Sequence, residues 1–159
     1  MGIFRSKKKA DEPITLKACA AMIEEVLKTV GLNPNDQRMQ NQNSPGWFVQ
    51  RGSAMIYIFL IPDEKTPSVR FVSPILFLPE DFITPFYRRC LEINMELMNC
   101  ALGVTNDKIA LVSERPFTNL DVDQIVYLLH YISAVADDID DKLAKEFKAA
   151  MYAQGLEPS

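Results

Sequence analysis

Eight consecutive apolar or aromatic residues, Ala54-Met55-Ile56-Tyr57-Ile58-Phe59-Leu60-Ile61, constrain this chain more than any other stretch. Gly52-Ser53 before the run and Pro62-Asp63 after it punctuate both ends. The isoleucines, Tyr57 and Phe59 favour a strand. The run is far short of the about 20 residues that a membrane-spanning helix needs. A strand points successive side chains to opposite faces. Met55, Tyr57, Phe59 and Ile61 therefore share one face, and Ala54, Ile56, Ile58 and Leu60 the other. An antiparallel strand with one wet face alternates apolar with polar residues, and this one does not. Both faces are expected to be covered. Helices of the same chain can cover one, and whatever covers the other bears on function.

The flanking pattern supplies the helices. Thr15 can cap a helix from Leu16 to Val30, in which Leu16, Cys19, Ala20, Ile23, Val26, Leu27 and Val30 recur at spacings of three and four. Gly31 ends it. Residues 32–46 are rich in Asn and Gln and read as a surface loop, long for a compact domain and open to use in binding. Trp47–Arg51 form a short strand leading into the central one. After the turn at 62–67, Ser68 and Arg70 alternate with Val69 and Phe71. That mixed pattern places strand Ser68–Val72 near a sheet edge or with one face to water. Pro74 interrupts it, and Ile75–Leu78 resume after a bulge.

Thr84-Pro85 reads as an N-cap and first helical position for a helix to about Met98. Its stripe is Phe86, Tyr87, Cys90, Ile93, Asn94, Leu97 and Met98, with Asn94 the polar exception. A hairpin of Cys100–Val104 and Lys108–Ser113 follows. Asn119 or Asp121 caps a final helix to roughly Ala149, about 40 Å long at about 1.5 Å per residue. Part of it is expected to reach beyond its own sheet. The order is α-β-β-β-α-β-β-α: one α+β domain over residues 13–149 with an antiparallel five-stranded sheet. Residues 1–12 are expected to be disordered and residues 150–159 a loose tail.

The chemistry is sparse. A net charge of −4 argues against nucleic acid as the main partner. Cys19, Cys90 and Cys100 are odd in number and have no zinc-site spacing, so they read as reduced core thiols. Met1-Gly2-Ile3-Phe4-Arg5-Ser6 with Lys7, Lys8 and Lys9 matches a myristoylation pattern, but a solvated tail is preferred and no membrane partner is expected. His130, the sole histidine, excludes the common histidine-based metal sites. No nucleophile elbow or phosphate-binding glycine motif is present. Asp137 and Asp141 lie one helical turn apart and could share a hard cation. Ile139 at the core position, with Lys142 and Lys145 as ion-pair partners, favours a solvated face instead. No catalytic residue, metal or cofactor is expected.

The stronger signal is apolar surplus. Phe48, the even-numbered face of 54–61, Phe77, Phe82, Phe86, Met95, Met98 and Phe117 exceed the needs of one small core. Phe48, Ile56, Ile58, Met95 and Met98 are the expected contact surface for a partner.

The stretch Pro79–Leu143 carries a resemblance. Leu91-x-x-Asn94 closes a helix, then come a small-apolar strand at Cys100–Val104, a polar turn, an apolar strand at Lys108–Val112 and a helix bearing Ala136-Asp137. This pattern, within residues 14–148, resembles the YbjN family, whose fold is similar to type III secretion chaperones. The long loop 33–45 and the lysine-rich start depart from it. The resemblance implies a cytoplasmic homodimer without catalytic activity that holds an extended or helical segment of another protein, or a regulator. No binding residue carries over from it. The resulting expectation is a dimeric, chaperone-like protein-binding module. It would act by strand addition at an edge such as Ser68–Val72, or by docking a helix in a groove. The alternatives are a small-ligand sensor with an apolar pocket and a hydrolase using Asp137–Asp141.

Overall fold

The computed structural model describes residues 14–40 and 44–152. The elements follow the order α1 (Leu16–Thr29), β1 (Gly46–Arg51), β2 (Ala54–Ile61), β3 (Ser68–Phe77), α2 (Ile83–Asn94), β4 (Ala101–Thr105), β5 (Lys108–Pro116) and α3 (Val122–Phe147). The fold is α+β, with one five-stranded antiparallel sheet in the order β1-β2-β3-β5-β4. Residues 1–12 and most of the tail 150–159 lie outside the described residues.

Local chemistry sets the boundaries. The Thr15 hydroxyl accepts from Ala18 N at 3.1 Å to open α1, and Gly31, at φ 82°, follows its last turn. The Asp121 carboxylate accepts from Gln124 N at 2.8 Å to open α3. At α2 the cap differs from expectation. Phe82, not Thr84, is the cap residue, at φ 58° and without a side-chain cap bond, and the helix stops at Asn94. Gly52, at φ 59°, makes the tight β1–β2 turn.

Cross-strand register decides which face is inside. Trp47 and Val49 on β1 oppose Ile58 and Ile56 on β2, and Phe71 and Val69 on β3 oppose Ile58 and Leu60. All of these are at most 1% exposed and join one cluster with Cys19, Ile23 and Leu27 of α1 and Ile125, Leu129 and Ile132 of α3. The even-numbered side of β2 is thus the helix-covered side. Buried apolar area of this kind is worth about 25 cal/mol per Å² and is the main force holding the sheet to its helices.

The expected edge, Ser68–Val72, is in the middle of the sheet. β3 pairs with β2 on one side and β5 on the other. Its polar residues are satisfied across strands: Arg70 lies opposite Glu114 with an ion pair at 2.6 Å, and the Ser68 hydroxyl donates to the same carboxylate. A polar face therefore marked a cross-strand pair, not an edge. The bulge expected near Pro74 is present as a register shift between Pro74 and Leu76. Part of the Asn/Gln-rich loop is ordered along β1, where Phe48 N donates to Gln37 O and Met39 N to Gly46 O, both at 2.9 Å.

Candidate functional site

Two apolar surfaces remain outside the core. The first is the sheet face away from the helices. Alternation puts Phe48 of β1, Tyr57, Phe59 and Ile61 of β2, Val72 of β3 and Val112 of β5 on it, and each is half-buried. None belongs to the core cluster or packs against it. Tyr57 and Phe59 stack with ring centroids 6.4 Å apart. At one end sits the Arg70–Glu114 pair. The Ser68 hydroxyl, and then Arg70, hold the Glu114 carboxyl below its usual range, so the pair stays charged.

The second surface is a stripe that runs along α2 and continues through its cap Met95 to Met98 in the bend beyond. Phe86 and Cys90 point into the core, at 0% and 4% exposed, and Phe86 meets Phe147 of α3 edge-on at 5.2 Å. On the opposite side Tyr87, Leu91, Met95 and Met98 recur at spacings of four and three and stand 38%, 67%, 87% and 62% exposed. A helix apolar on both sides needs a second surface to cover it. Arg88 and Arg89 flank the stripe near its start, Glu92 and Glu96 near its end.

The sheet borders are shielded from strand addition over part of their length. On β4 the Asn94 amide takes the place of a neighbouring strand. Its Oδ1 accepts from Leu102 N at 2.7 Å and its Nδ2 donates to Leu102 O at 3.2 Å. The polar residue in the apolar stripe is thus a side-chain mimic of a ladder bond. On β1 the segment 37–39 does the same with its backbone.

This arrangement matches a known family. The family model described as "T3SS (YopN, CesT) and YbjN peptide-binding chaperone 1" (TY-Chap1) matches residues 17–154. The chain belongs to this family. Two solved structures are similar in fold to this TY-Chap1 member. One comes from the ExsC–ExsE complex, with a TM-score of 0.64 at 10% identity over 80% of this chain and 95% of the other. The second comes from the HopA1–SchA chaperone–effector complex, with a TM-score of 0.57 at 9% identity over 81% and 99%. No curated protein matches the sequence.

The residues singled out in the sequence separate into three places. Phe48 lies on the open sheet face, and Met95 and Met98 on the α2 stripe. Ile56 and Ile58 do not join them. At 0% and 1% exposed, they are roofed by the chain's own helices and have no surface to offer a partner. The open side of β2 is the odd-numbered one, so the face assignment inverts. An all-apolar strand has no polar residue to say which side is wet, and the choice falls to the neighbours' register. Tyr57, Phe59, Leu91 and Tyr87 are the contact candidates that sequence reasoning missed. The spacing of Tyr87, Leu91, Met95 and Met98 was the available signal.

The aspartate cluster serves the fold. Asp137 and Asp140 accept from the Ser53 hydroxyl at 2.9 and 3.3 Å, tying α3 to the β1–β2 turn, and Asp138 pairs with Lys142 at 2.5 Å. Asp140 is 7% exposed, not solvated as expected, and burial raises its carboxyl above the usual range. His130 Nδ1 lies 3.2 Å from Arg51 Nη1 across the same corner. Burial pushes the Cys19 thiol up to about 12 and that of Cys90 to about 11, so neither is a thiolate at neutral pH. Among the described residues no helix is long and apolar enough to cross a membrane.

Proposed function

We propose that this protein is a non-enzymatic peptide-binding chaperone, cytoplasmic and dimeric, that shields an apolar segment of one partner protein. The observation that carries the reading is the aromatic sheet face of Phe48, Tyr57, Phe59, Ile61, Val72 and Val112, which no helix among the described residues covers. An extended segment laid across it buries its own apolar side chains between Phe48 and Val112, with the Arg70–Glu114 pair as a polar stop at one end. The family membership and the likeness in fold to the HopA1–SchA chaperone–effector complex support this use of the surface. The second apolar surface suits a second copy. Two α2 helices packed antiparallel through Leu91 and Met95 bring Arg88 of one toward Glu96 of the other, a self-complementary contact. The ligand-sensor and hydrolase alternatives have no specific observation behind them among the described residues.

The test compares affinity capture by the wild type and by Phe59→Asp, with capture partners identified by mass spectrometry. The expected result is a reproducible partner held by the wild type and lost by a variant of unchanged thermal stability. Absence of any reproducible partner, or equal capture by both chains, refutes the reading.

A further inference from the structure

α3 ends at Lys148 in the left-handed region, at φ 53°. The chain then returns to the sheet. Phe77 N donates to Ala150 O and Tyr152 N to Ile75 O, both at 2.9 Å, and Met151 pairs antiparallel with Leu76. Residues 150–152, expected from the sequence to be loose, thus make an isolated antiparallel bridge beside the distal half of β3. The slot they fill has a topological origin. β5 follows β3 as far as Phe77, whereas β2 pairs with it only up to Val72. The backbone from Ile75 to Phe77 is left open on that side.

A side-chain socket accompanies the slot. Tyr152 is 8% exposed, with its hydroxyl 3.0 Å from that of Tyr57 and its ring 6.2 Å from that of Phe77. Lys108 Nζ sits 5.3 Å from the centre of the Phe77 ring and 5.9 Å from that of Tyr152. Tyr57 also belongs to the aromatic sheet face, so the socket is continuous with it. A groove of about 690 Å³ adjoins the slot, walled by Phe77, Phe82 and Phe147 and by Ala149 and Ala150.

We propose that the Ile75–Phe77 slot with its aromatic socket is a peptide-docking site. Its resident occupant is the chain's own segment 150–152. In trans it takes an extended partner segment that presents an aromatic side chain at the position of Tyr152. This rests on the peptide-binding reading above and names a backbone anchor for it. The resident segment states the chemistry the slot accepts: a small residue, then an aromatic one two positions later, in antiparallel register with β3. Elsewhere the sheet borders are already bonded at β1 by residues 37–39 and at β4 by Asn94. Among the described residues the resident segment is held by two backbone bonds, by the Tyr57–Tyr152 hydroxyl contact and by the buried Tyr152 ring beside Lys108. A partner segment that also engages Phe59 on the sheet face displaces it. Because the resident segment competes at a high effective concentration, loosening it raises affinity for a peptide in trans.

The test uses the full chain, wild type and Tyr152→Ala, with a fluorescent peptide of residues 149–159 as the probe. Saturable binding to Tyr152→Ala at roughly tenfold or more higher affinity than to the wild type is expected. A probe that itself carries Tyr152→Ala binds at least about tenfold more weakly. Amide exchange on the wild type gives a reading that does not depend on the variant's stability: a large excess of probe speeds exchange at the chain's own Tyr152, whose bond to Ile75 O is lost, and leaves β1 unaffected. Equal probe binding by both chains, equal binding of both probes, or unchanged exchange at Tyr152 overturns the proposal. Those failures leave partner capture through Phe59 intact, whereas absence of any captured partner removes the broader reading and leaves the peptide assay standing on its own.

Discussion

Asn94 shows how one side chain can substitute for a missing strand. Its two bonds to Leu102 satisfy both main-chain groups of that residue on the outer side of β4. Asn94→Ala leaves them without a protein partner and is expected to cost about 2 kcal/mol, read from urea unfolding. Asn94→Asp keeps the acceptor for Leu102 N, loses the donor to Leu102 O and recovers only part of that stability. Asp140 makes the opposite kind of contribution. Burial raises its folded-state pKa above the unfolded value. Its favourable contribution is therefore present at low pH, where the group is protonated, and is lost as pH rises through the folded value. Asp140→Asn keeps one oxygen to accept from Asp141 N, as Oδ1 does, and turns the Oδ2 position facing Ser53 Oγ into an amide donor. Thermal melts should show this variant more stable than the wild type at pH 7, with the gap closing below the ordinary aspartate range. A constant gap across pH would show that the carboxylate's charge is not the cause.

At the scale of elements, β2 and α2 both carry apolar residues on two sides, and in each only one side is used by the core. For β2 the two sides make different predictions. Ile56→Ala removes buried volume under the helices and is expected to destabilise by about 2–5 kcal/mol. Phe59→Ser, on the open face, is expected to change stability by about 1 kcal/mol or less and to lower partner retention instead. Chemical denaturation of the two variants side by side distinguishes the faces. For α2, Leu91→Glu and Met95→Glu place like charges at the centre of a two-fold contact without touching Phe86 or Cys90. Light scattering is expected to give twice 18.0 kDa for the wild type and 18.0 kDa for the double variant, at similar melting temperature. A wild type that is monomeric at tens of micromolar would remove α2 as a self-association surface.

At the scale of the whole molecule, the asymmetry of the sheet is the organising fact. All three helices contribute to a single core on one side, and the other side keeps its aromatic residues half open. A partner that buries about 800 Å² on each side gains enough apolar contact for a specific complex, provided the surface needs little reordering. The rigid ladder of five strands supplies that preorganisation. The same architecture explains why binding by addition to the sheet border is restricted. β3 lies in the centre, and β1 and β4 are each bonded by other parts of the chain.

Local sequence chemistry was sufficient for the order of elements, the cap at Thr15, the bulge near Pro74 and the limits of β2, and it narrowed the α3 cap to Asn119 or Asp121, of which the structure uses Asp121. These depend on contacts within a few residues, and periodicity and turn chemistry act at that range. The start of α2 at Phe82 was not legible, because Thr84-Pro85 is a strong local signal overruled by the left-handed turn before it. The position of β3, the open side of β2 and the role of Asn94 were decided only by tertiary structure. Each is settled by strands distant in sequence: Glu114 opposite Arg70, Trp47 and Phe71 opposite Ile58, and Leu102 beside Asn94. A run that is greasy on both sides establishes that both need cover, but it is the register of its neighbours that chooses which side the helices take and which they leave half open.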